Sequence, residues 1–279
     1  VTLNKCMSLI LLSAVATSAV AQSSTGSIES VKKGPNTAKS WTARIDSTVY
    51  RDLLKTSEAD HTSGMTNSFR FSYATDIGSF TFKTSMSKSF VDERKSNIND
   101  SSFSYSRKAA RPFEGVVSFG SISAGIPTSK VSRRATNLRT KLSISEGLSI
   151  SDSVTRVKNL SALLILAASK NFHEYKTSLY GTSNTSYSVS SIAYLTYSFT
   201  DSFYLSLGGT YAKGWTYENN TKDLYSFSQS MGYSFSPTYN LEVGHEFGGT
   251  PLSPDGKDVE IDLFDERESS VYATLTIKI

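Results

Sequence analysis

The chain has almost no cysteine, little charge and few tryptophans. Its single cysteine among 279 residues is Cys6. That position falls in a segment expected to be removed, so the mature chain would hold no disulfide and no thiolate metal ligand. Charged residues make up only 19 %, with a formal net charge of +4. The basic residues are not clustered, which argues against nucleic acid as a partner. The three histidines, His61, His173 and His245, are isolated and show no metal-ligand spacing. No GxGxxG, GxxxxGK[ST] or HExxH occurs, so no cofactor is expected and the chain reads as a non-enzyme.

Serine is abundant, and the 11 % of aromatic residues are nearly all Tyr and Phe. Both features suit strands with one wet face. The N-terminus differs from the rest. Lys5 precedes an apolar stretch, Met7 to Ala21, that ends in Ala19-Val20-Ala21. This is the pattern of a cleaved signal peptide over 1–21. Residues 22–40 are rich in Ser, Thr and Gly and read as a flexible periplasmic lead-in to a single barrel domain over 41–279.

From Trp41 onward the hydrophobic period is two. Trp41, Ala43, Ile45 and Val49 alternate with Thr42, Arg44, Asp46 and Thr48. Tyr225, Phe227, Met231, Tyr233 and Phe235 alternate with Ser226, Ser228, Ser230, Gly232 and Ser234. Such alternation marks strands with one wet and one apolar face. The spacing predicts twelve strands, at about 41–51, 65–75, 79–90, 100–109, 113–124, 137–150, 153–168, 186–199, 202–215, 224–235, 239–248 and 270–279. Their connectors alternate between short turns, such as Thr200-Asp201, and long polar loops, such as Gly248–Ser269. The stretch Leu160 to Ala168 is apolar on both parities, so 153–172 is open between a strand and a short helix. Strands of 9–11 residues or more can span a bilayer, and only closure into a barrel pairs every backbone group there. The fold class expected is an all-β, transmembrane antiparallel barrel. A soluble sandwich would use the same alternation with two packed sheets.

This architecture resembles Gram-negative outer-membrane β-barrel proteins of porin type, over the whole mature chain. The C-terminal strand 272–279 is similar to their assembly signal, with Ile279 in place of the usual terminal Phe. The resemblance implies outer-membrane lipid and the barrel-assembly machinery as partners. The inward parity carries Arg44, Asp46, Arg70, Lys83, Arg139, Lys141, Glu242, Glu246 and Lys278, which would line the lumen. Basic residues outnumber acidic ones there six to three, so a diffusion channel for small polar solutes with weak anion preference is expected. A structural or adhesive barrel is the alternative. His61-Thr62-Ser63 has His and Ser two apart, as in twelve-stranded outer-membrane phospholipases. Asn67 is not on the adjacent strand, and the rest of that motif is absent.

Overall fold

The structure, a computed structural model, describes residues 40–56, 58, 61–91, 95–251 and 268–279. The expected signal peptide, nearly all of the lead-in, and most of the acidic loop around Asp255 lie outside the described residues.

The alternating sequence forms strands because β-branched and aromatic side chains pack well on a pleated surface that is wet on one side. The strands are β1 (Trp41–Asp52), β2 (Ser63–Ala74), β3 (Gly78–Ser89), β4 (Ser96–Ile98), β5 (Ser101–Arg107), β6 (Ala110–Phe113), β7 (Val116–Ile126) and β8 (Leu138–Ile150). They continue with β9 (Leu160–His173), β10 (Thr185–Ser198), β11 (Phe203–Thr216), β12 (Thr221–Ser234), β13 (Tyr239–Gly249) and β14 (Ser269–Lys278). Segments β4, β5 and β6 follow one another along a single wall position between β3 and β7. The result is a closed, all-antiparallel barrel of twelve strands. The first and last strands close it, running from Arg44 opposite Lys278 to Asp52 opposite Ser270.

The barrel is inverted relative to a water-soluble core. Its buried side chains are mostly Ser, Thr, Asn and charged groups, while Ile144, Leu166, Val243, Met231 and many other large apolar residues are exposed on the outer face. Wet parity therefore points inward and apolar parity outward, as the pleat requires. Aromatic rings crowd the outer face at the short-turn end, where Phe199 stacks on Phe203 and meets Tyr197 edge-on, as Tyr233 meets Phe235. Among the described residues no helix is long and apolar enough to cross a membrane.

Three segments depart from the sequence-based boundaries. The strand expected at 153–168 begins later, at Leu160, and runs on to His173. Its predicted first residues instead form one helical turn, Asp152–Thr155, inside a short connector. Arg156 and Asn159 then adopt left-handed φ values of 59° and 65°, which reverse the chain before the strand can start. The Ala110-Arg111-Pro112 connector is also a strand, β6. Its turn sits two residues later at Glu114-Gly115, where Gly115 takes φ 77°, a conformation that costs glycine little. Pro112 is tolerated because β6 pairs on one side only, with β7. Finally, a bulge between Leu138 and Thr140 interrupts the β8–β9 register.

Candidate functional site in the barrel lumen

Strand register decides which side chains share the interior. In the half of the barrel nearer the short turns, Lys278, Arg44, Arg70 and Lys83 are direct cross-strand neighbours across β14, β1, β2 and β3. Four cations thus stand on one inward rung. Like charges placed opposite each other repel, so this rung needs negative charge nearby. Asp46 supplies some of it. Its Oδ1 accepts from Arg44 Nε at 2.7 Å and from Thr276 Oγ1 at 2.6 Å. Arg44 and Asp46 are both buried.

The carboxylates gather on the neighbouring arc. Glu242 lies on β13, where Tyr204 Oη and Tyr272 Oη each donate to it at 3.1 Å. Asn240 Nδ2 donates to Tyr204 Oη, also at 3.1 Å, and extends the network. Glu246 is buried four residues further along β13, opposite Ser228 of β12. Lys141 stands on β8, between Gly125 of β7 and Asn171 of β9. The two glutamates thus share β13, beside the basic rung, while Asp46 sits within that rung.

Arg139 stands apart from the other charges of that inward set. It falls in the β8 bulge at the long-loop end, with its side chain 69 % exposed and ion-paired to Glu174 at 2.5 Å. A bulge inserts one residue and breaks strict alternation, so counting parity through it misassigns the side chain. His61 also sits at that end. It is buried, with Nδ1 2.5 Å from Asp52 Oδ1, and Asp52 also accepts from the Thr62 backbone and hydroxyl. This pairing ties the 53–62 connector to the end of β1. His245 faces outward toward Gln229, and His173 lies against the Tyr217 ring. Among the described residues no group of three or more His, Cys, Asp or Glu is placed to hold a metal.

Two lumen features escaped sequence reading. The first is a set of aromatic rings lying flat over glycines. Tyr50 is the direct partner of Gly64, Phe119 of Gly147, Tyr194 of Gly208, Tyr204 of Gly232 and Tyr272 of Gly244. A methyl group added at any of these glycines would meet the ring. The missing side chain lets each ring lie along the wall instead of projecting into the bore. The second is an apolar cluster on the inner face. Leu163, 1 % exposed, and Tyr194 are buried, with Phe119, Ile165 and Ile192 packed against them. The two-sided apolarity of Leu160 to Ala168 was its only trace in the sequence. Alternate residues of that run serve two different apolar surroundings.

A closed twelve-stranded barrel with a charged polar interior and an apolar exterior is the class that fold and site define. Solved structures share the fold. The chain aligns with the crystal structure of the COG4313 outer membrane channel from Pseudomonas putida F1 at TM-score 0.60 and 10 % identity. That alignment covers 89 % of this chain and 100 % of that one. The NanC porin aligns at TM-score 0.50 and 11 % identity, over 85 % of this chain and 100 % of its own. No protein-family model matches the sequence, and no curated protein matches it.

Proposed function

We propose that this chain is an outer-membrane β-barrel acting as a passive diffusion channel for small polar solutes, with weak anion preference and no catalytic role. The observation that carries the proposal is the inward wall. It is built largely from Ser, Thr and Gly and bears the rung Lys278–Arg44–Arg70–Lys83. Small side chains on twelve strands leave room for water, and fixed charge on a wet wall sets ion preference. The exposed apolar outer face and the aromatic rings near the short turns support insertion in lipid. On this reading the short turns are periplasmic and the long loops external. The C-terminal strand β14, with Val271, Leu275 and Ile277 on outward parity, is the segment offered to the barrel-assembly machinery.

Single-channel recording of the purified protein in a planar bilayer tests the proposal. The expected result is stepwise conductance with weak anion preference. Lys83→Glu should shift the reversal potential in a salt gradient toward cation preference. A refolded barrel with no conductance above the lipid background overturns the channel, and a structural or adhesive barrel then stands.

A further inference from the structure

A wall built only for polar solutes has no use for Phe119, Leu163, Ile165, Ile192 and Tyr194 on its wet side. These residues shield one another in part, but Phe119, Ile165 and Ile192 retain access to the interior. Apolar surface facing water is unfavourable unless something covers it. The basic rung is the second uncommon feature, since four adjacent cations favour an anion among them.

Barrel closure sets these two features face to face. The wall order is β2-β1-β14-β13-β12-β11-β10-β9-β8-β7-β5-β3, returning to β2. In that ring of twelve, β9 is six places from β1 in either direction, and β10 is six places from β2. Arg44 on β1 therefore stands across the lumen from Leu163 and Ile165 on β9. Arg70 on β2 stands across from Ile192 and Tyr194 on β10. All of these residues, with Lys83 and Phe119, lie in the half of their strands nearer the short turns.

We propose that this half of the lumen binds organic anions that carry an apolar body, with short alkyl carboxylates as the class. The carboxylate docks on Arg70 and Lys83, and the alkyl chain lies against Phe119, Ile165 and Ile192. The proposal rests on the channel reading for the solute's route, but binding is measured without conduction. Two-point recognition discriminates three ways. Acetate keeps the charge and lacks the chain. Hexanol keeps the chain and lacks the charge. Hexylammonium keeps the chain and reverses the charge.

The test is equilibrium dialysis of radiolabelled hexanoate against the full barrel in lipid nanodiscs, with barrel-free nanodiscs as the blank. Competition by unlabelled acetate, hexanol and hexylammonium is measured in parallel. Hexanoate should bind about tenfold more tightly than acetate, because half-buried methylenes contribute a gain of that order. Hexanol and hexylammonium should compete poorly. The double variant Ile165→Ser/Ile192→Ser should weaken hexanoate binding about tenfold and leave acetate unchanged. The double variant Arg70→Ser/Lys83→Ser should weaken both. Heat-modifiable gel migration checks that each variant is folded, and the wild-type comparison of the four ligands stands without them. Equal affinity for hexanoate and acetate overturns the proposal, as does hexanoate binding unchanged by the isoleucine variant. A barrel that conducts without preferring hexanoate keeps the channel and loses this site. A barrel that binds hexanoate without conducting loses the channel and keeps the site.

Discussion

Tyr194 lies flat on the barrel wall because Gly208, its direct partner across the β10–β11 seam, leaves the space for it. The ring cannot stay there if the partner has a side chain. Gly208→Val should push it into the bore and lower single-channel conductance severalfold, with the fold retained, whereas the same change at Gly209 should not. Gly209 points outward into open space, so a side chain there meets nothing nearby. Equal effects of the two variants in bilayer recordings would refute the role given to the ring. At this scale the sequence was only partly legible. Inward charges such as Arg44, Arg70 and Lys83 follow from period-two counting. Arg139 does not, because the bulge beside it shifts the count. The ring-on-glycine pairs were hidden for a different reason. They join residues on separate strands, and registers cannot be read before the strands are paired.

Strand β9 shows what an element adds. Its outward residues Leu164 and Leu166 are exposed, while Leu163 is buried against Tyr194 on the inside. Alternation disappears from the sequence because both faces are apolar, and helix and strand then look alike. The strand is settled by pairing with β8 and β10 on both sides. Its start was misplaced because Ser153 to Thr155 belong to a helical turn that opens after Ser151 and ends at the left-handed Arg156. Leu166, 54 % exposed near the middle of β9, gives a direct test of what surrounds the barrel. Leu166→Arg should lower stability by about 2–4 kcal/mol in urea titrations of barrel folded into lipid vesicles, the cost of a lipid-facing cation near the midplane. In a water-exposed sheet the same change would cost little, so a shift of a few tenths would argue against lipid on that face.

At the scale of the whole molecule, the alternation of short and long connectors made the strand number legible, because each reversal is marked by Gly, Asn, Asp or Pro. It also assigns sides. Cysteines introduced at Asp201, in a short turn, and at Leu179, exposed at the long-loop end, should differ on intact cells. A membrane-impermeant maleimide should label position 179 and not 201, and equal labelling would defeat the topology. The rings on glycines carry a consequence for how such a wall is built. Most of its inward positions are Ser or Thr, nearly interchangeable, so a strand slipped by two residues would keep its wet and greasy faces correct. The mismatch would show at the seams holding a ring: it would land on a residue with a side chain, and the vacated glycine would leave a hole. Five seams carry such a check, each between consecutive strands or, for β10, β11 and β12, in two successive hairpins. A hairpin paired out of register would therefore be less favourable than the native one at each of these seams.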